Sequence, residues 1–236
     1  MISIDFWNTI VIAHTNGEKR QQARIDGLRE ICAKYGDVPE LDLIGKAHQH
    51  ASSKFDEIWL GQQRTPTSRE LVDFALTFMG LQLSEADRAE VTRIYQESLL
   101  DGAPELTLGV GEALEKLAST HKLAIISDTM FSPGRVLRGY LKSKGLDGFF
   151  SAYAFSDEVG VSKPHRKMYK KVLSETGSDA KSSWHIGDIH QTDIKGAQSM
   201  GMKAVLYTGI NTTDKETSSA DVISDDWLKI SDILIS

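Results

Sequence analysis

Asp5 ends an apolar run, ISID, and two residues later Trp7 stands where a second carboxylate would serve acid/base chemistry. Three more polar clusters lie far along the chain: IISDT (125–129), GVSKP (160–164) and HIGDIHQTDIKGA (185–197). With DFWNT (5–9), they supply a hydroxyl from Ser127, an ammonium from Lys163, and carboxylates from Asp5, Asp128, Asp188 and Asp193. Such a set could attack, cradle and neutralise a phosphoryl group around a hard cation. Each residue also has a plainer role. Asp5 would cap a turn, Ser127 would satisfy loop backbone, Lys163 would be a surface residue before Pro164, and Asp193 would be an N-cap ahead of Ile194. The joint order of the four clusters, and their places along the chain, are what point to a site.

Those places follow from the apolar runs. Buried strands are expected at 2–5, 122–127, 151–155, 183–186 and 203–207. From residue 111 onward they alternate with helical segments at 111–119, 133–144, 164–176 and 193–200, the pattern of a parallel sheet with crossover helices. Pro133 suits a first helical turn and Gly145 a helix C-terminus. Each polar cluster falls at the C-terminal end of a strand or the start of the next helix. That edge of an open α/β sheet is where ligands bind.

Between the first strand and residue 105 the texture is nearly all helical. Leu28, Ile31, Cys32 and Tyr35 form one apolar stripe closed by Gly36. A segment from 40 to 60 ends at Gly61, Thr67 and Glu70 make a capping box before LVDFALTFM, and Ser84 opens a fourth helix. The fold expected is α/β: a Rossmann-like parallel-sheet core, 1–16 and 103–236, with a helical-bundle cap inserted at 17–102. The polar stretch 211–221 reads as a loop before a last short strand.

Composition narrows the partners. A net charge of −6 disfavours a nucleic-acid surface, and no apolar run has the length of a membrane span. The single cysteine, Cys32, lies at helical spacing and reads as a buried structural thiol in a reduced, cytoplasmic protein. His48 and His50 do not share a helical face, so no metal pair is expected there. His185 reads as strand packing and His190 as a surface residue near the acidic loop. Trp59, Trp184 and Trp227 read as core or interface residues.

The segments FSDEVGVSKPHRKMY and WHIGDIHQTDIKGAQSMGM, with DFWNT and IISDT, resemble the haloacid dehalogenase-like hydrolase superfamily of the helical-cap type over nearly the whole chain. The resemblance implies that Asp5 is the nucleophile of an aspartyl-phosphate intermediate. It implies that Ser127, with Asp128 and Lys163, holds the phosphoryl group of a small phosphorylated substrate. It further implies that Mg²⁺ binds Asp5, Asp188 and the backbone carbonyl of Trp7, with Thr9 and Asp193 in support, in a monomer or homodimer.

Trp7 departs from the phosphatase pattern, in which a second aspartate protonates the leaving oxygen and then activates water. Such a group contributes about 10² to 10⁴ in rate. Three readings follow: a phosphohydrolase with a weakened or relocated acid/base (Asp128, His14 or a cap residue), a non-catalytic binding protein, or a 2-haloacid dehalogenase. The last group carries an aromatic residue at this place but generally lacks the metal aspartate that Asp188 matches.

Overall fold

The computed structural model describes residues 1–236. Six strands form one parallel sheet. In chain order they are Ile2–Ile4 (β1), Leu123–Ser127 (β4), Phe150–Phe155 (β5), Trp184–Gly187 (β6), Lys203–Tyr207 (β7) and Val222–Ser224 (β8). Their spatial order is β5-β4-β1-β6-β7-β8, so the chain reverses its direction of winding at β1. That reversal opens a crevice above the C-terminal ends of β4, β1 and β6.

The period-2 alternation of side chains explains why both faces are covered. Leu123 and Ile125 of β4 join a 25-residue apolar cluster on one face, under the helices Val110–Ala118 (α5), Gly134–Ser143 (α6) and Trp227–Ile235 (α10). Ala124 and Ile126 face the other way, into a 14-residue cluster with Arg166–Thr176 (α8) and Lys195–Ser199 (α9). At roughly 25 cal/mol per Å² of apolar area, these two layers supply the bulk of the driving force for the core.

A third cluster of 13 buried residues belongs mainly to Gly17–Ala33 (α1), Leu41–Gln62 (α2), Ser68–Met79 (α3) and Glu85–Asp101 (α4), with Phe131 added from the core. These four helices form the bundle inserted between β1 and β4. The Thr67–Glu70 capping box is present with both of its bonds, and Gly80 closes α3 in the left-handed conformation. Cys32 is buried, as its spacing indicated. No helix is long and apolar enough to cross a membrane.

Several elements differ from expectation. Val11–Ile12 (β2) and Glu105–Leu106 (β3) pair antiparallel where the chain enters and leaves the bundle. Two-residue strands carry too little periodicity to be visible in sequence. The guanidinium of Arg20 fastens the same crossing by donating to the carbonyls of Ala13, Thr15 and Gly102. Gly102 must be glycine, because a Cβ there would collide with the Asn16 carbonyl and the Arg20 backbone. Helix α2 runs one residue past Gly61. Helix α10 was not foreseen: Trp227, Ile230 and Leu234 are its buried side, and Asp226 caps it by accepting from Leu228 and Lys229 N–H. The segment 193–200 is a π-helical turn over His190–Ile194 followed by α9, not one helix.

Candidate active site

Asp5 follows β1 directly, its N–H donating to the Ile186 carbonyl of β6. Lys163 reaches it from the loop between Ser156–Val159 (α7) and α8, and its Nζ donates to Asp5 Oδ1 at 2.5 Å and to Asp193 Oδ1 at 2.7 Å. All three side chains are buried. Asp193 accepts further bonds from His185 Nε2 at 3.0 Å and from the Ile189 N–H at 3.0 Å. His185 in turn meets Ser3 Oγ at 2.9 Å. Its place in the strand is therefore packing of a particular kind, since it orients the carboxylate that orients the lysine. Gly187 makes room for Asp193, whose carboxyl carbon would collide with any Cβ at that position.

The charges in this cluster are not equivalent. Burial pushes the Asp193 carboxyl up, but Lys163 and His185 outweigh it and hold the group well below the usual carboxylate range. Lys163 is driven down by burial and up by Asp193 and Asp5, and the carboxylates prevail, so the ammonium stays charged. Burial raises Asp5 to about 6 against the opposing pull of Lys163. Asp188, after β6, is raised to about 7 by burial and then by the Asp5 charge. Asn211 Nδ2 donates to its Oδ2 at 3.0 Å. Two carboxylates thus share one crevice with a repulsion that Lys163 offsets only in part, and both offer oxygen atoms, which suits a hard divalent cation. No group of three or more His, Cys, Asp or Glu side chains gathers for a metal, so any ion here takes its remaining ligands from backbone, water or substrate.

Above these groups lies a cavity of about 420 Å³, within the range of small-molecule sites. Asp5, Trp7, Asp128, Lys163 and Asp188 line its floor, and Arg20, Arg24, Phe55 and Trp59 line it from the helical bundle. Trp7 is half-buried, edge-on to Phe6 with ring centroids 5.0 Å apart. Ser127 is fully buried behind the wall, where its hydroxyl donates to the Asp128 carbonyl at 3.3 Å. Thr9 is also outside the lining: its carbonyl accepts from Thr107 Oγ1 and Trp227 Nε1, and its own hydroxyl has no partner. The structure therefore gathers Asp5, Trp7, Asp128, Lys163 and Asp188 on the cavity and places Asp193 beneath them. It keeps Ser127 and Thr9 one layer back.

Some participants escaped sequence reasoning. Trp59 is more than an interface residue: its Nε1 donates to Asp128 Oδ2 at 2.9 Å, while the Lys163 N–H donates to Oδ1 at 3.0 Å. Burial lifts Asp128 to about 6. Arg24 and Asn211 belonged to a helix face and a polar loop that carried no motif. His14 lies in a separate hollow with Asn16 and Glu18, and His190, bonded to Ser218, is absent from the cavity wall. His48 bonds Tyr95 Oη and His50 stacks on Phe78.

Among solved structures, a 2-haloacid dehalogenase from Pseudomonas syringae superposes with a TM-score of 0.75 at 20% identity, covering 99% of this chain and 97% of that one. A HAD-hydrolase from Bacillus subtilis bound to magnesium gives 0.67 at 20% identity, covering 99% and 97%. Both likenesses concern the fold. Among curated proteins, glyceraldehyde 3-phosphate phosphatase from Pyrococcus abyssi is 37% identical over 87 residues, 37% of this chain and 35% of that protein. The chain thus spans about a third of that relative's length. The model of the haloacid dehalogenase-like hydrolase family matches residues 40–207, a span that includes the Lys163 and Asp188 segments and leaves out the Asp5 strand. With most of the chain matched and the sheet reversing at Asp5, the protein belongs to the haloacid dehalogenase-like hydrolase family.

Proposed function

We propose that this chain is a phosphohydrolase that uses Asp5 as nucleophile on a small phosphorylated substrate. Residues 17–102 act as its cap domain, and 1–16 with 103–236 as its core. The observation that carries the reading is Asp5 held 2.5 Å from Lys163 and sharing one cavity with Asp188. Asp5, Asp188 and the Trp7 carbonyl are the groups that would hold Mg²⁺, which when bound neutralises the approach of two anions.

Asp5 Oδ attacks phosphorus and the ester P–O bond breaks. The leaving oxygen takes its proton from water, since the indole of Trp7 cannot give one. Water then attacks the aspartyl phosphate, releasing inorganic phosphate and the free carboxylate. Lys163 neutralises Asp5 and the transferring group throughout, and Asp193 with His185 keeps its ammonium in place. Asp128 is a strut rather than a replacement acid: each of its oxygens already accepts an N–H, from Trp59 or Lys163. Turnover therefore runs about 10²- to 10⁴-fold below that of an enzyme with a working acid/base.

A panel of phosphomonoesters and L-2-chloropropionate, each assayed with Mg²⁺ and with EDTA, tests this reading. Phosphate release that stops with EDTA is the expected outcome. Halide release that persists in EDTA would instead make the protein a dehalogenase, and silence on every substrate would point to a binding protein.

A further inference from the structure

Most guanidinium groups here meet a carboxylate. Arg64, Arg69, Arg88, Arg93, Arg135 and Arg138 are all ion-paired. Arg24, on the cavity side of α1, is not. Its Nη1 donates only a long bond, 3.4 Å, to Ser98 Oγ, and its Nε is buried without a partner. Its Cζ lies 4.9 Å from the centroid of the Phe131 ring. Burial depresses its pKa and the nearby Arg20 charge adds to that pressure, yet a guanidinium remains protonated at any ordinary pH. Arg24 is half-buried, and a cation partly withdrawn from water with no counter-ion of its own can take its charge partner from a bound anion.

The neighbouring groups do not supply it. Arg20 is turned onto three backbone carbonyls, and Lys163 is matched by Asp5 and Asp193. The cavity therefore has one end committed to the phosphoryl group and another, on the bundle side, with an unmatched positive charge beside an aromatic ring. We infer that Arg24 anchors a second anion on the substrate, a carboxylate, so that the substrates are small phosphomonoesters of hydroxy acids. A planar guanidinium can receive a carboxylate through two parallel N–H donors, which fixes the orientation of the ester as well as its affinity. This assignment rests on the phosphohydrolase reading, because it presumes that the other end of the cavity holds the phosphoryl group.

Two ligands of nearly equal shape isolate the effect: 2-phosphoglycolate carries the carboxylate, and ethyl phosphate has a methyl group in its place. Calorimetric titration of the corresponding phosphonates, in which a methylene replaces the ester oxygen so that neither turns over, into wild-type protein with Mg²⁺ gives both affinities. The carboxylate-bearing ligand is expected to bind at least about 30-fold tighter, in line with a desolvated charge pair. The substitution Arg24→Gln should bring that ratio to near unity, and Arg24→Lys should keep part of it, with melting curves showing each variant folded. Equal affinities for the two ligands, or a ratio that survives Arg24→Gln, would overturn the assignment and leave the phosphohydrolase reading standing. Binding of neither ligand would overturn both.

Discussion

The floor of the cavity and its roof handle charge in opposite ways. On the floor, Lys163 is enclosed by Asp5 and Asp193, and Asp193 by His185 and a backbone N–H, so the charges of the lysine cluster are matched within it. On the roof, Arg24 is half-buried, with one weak bond and a buried Nε that has no partner. A satisfied cluster is machinery assembled before any ligand arrives, and an unsatisfied one awaits a charge from outside. The comparison separates the groups that define the chemistry from those that select what undergoes it.

Removing the cation from each region should sharpen that contrast most. Lys163→Met leaves Asp5 and Asp193 buried without a counter-charge and should cost about 3–5 kcal/mol of stability, read from the denaturant midpoint. Arg24→Gln removes a charge that has no carboxylate partner and should change stability by less than about 1 kcal/mol. Equal losses at the two positions would erase the distinction.

Trp7→Asp places a carboxyl where a leaving oxygen needs a proton and should raise phosphomonoester hydrolysis by up to about 10² to 10⁴. The ring packs on Phe6 and the main core, so a melting curve must accompany the rates. A stable variant without a gain would show that the defect is not local to residue 7.

Trp59→Phe keeps an aromatic ring, smaller than the indole, and deletes the donor to Asp128, severing a polar tie between roof and floor. The expected loss is about 1–2 kcal/mol in thermal or chemical unfolding. No loss would mean that the tie contributes nothing to holding the two regions together.

A pH-dependent effect is set by His48 in the roof, which meets Tyr95 Oη at 2.6 Å and feels the Arg24 charge. Burial first, and Arg24 second, lower its pKa from 6.5 to about 4. Between those values the unfolded chain binds the proton more readily. This contribution to stability is therefore complete above pH 6.5 and is lost as pH falls toward 4. Melting temperatures of wild type and His48→Gln across that window should converge as pH falls, and parallel curves would refute the effect.

The floor was legible because its residues sit at strand ends. Short apolar runs locate β1, β4 and β6, and the sheet rule then brings Asp5, Asp128 and Asp188 to one edge. The roof was not. Arg24 and Trp59 lie on amphipathic helices whose period shows which face is apolar but not which long side chain bends into a cavity. The setback of Ser127 was invisible for a related reason: a strand-end hydroxyl can point to either side of the sheet, and tertiary packing decides. Asn211 was hidden in a loop whose composition signals only exposure. Helix α10 was missed because its apolar positions follow directly on a short strand and a loop, with little length for a period to emerge.

The central claim is that Asp5 is the nucleophile that accepts the phosphoryl group. Its direct test is phosphate release with Mg²⁺ by wild-type and Asp5→Asn protein, assayed at equal concentration after both are shown to melt cooperatively. Measurable release by the wild type, and none by a folded Asp5→Asn variant, is the result predicted. Release by Asp5→Asn at the wild-type rate would contradict the account, because a carboxamide cannot form the aspartyl phosphate on which every other assignment depends.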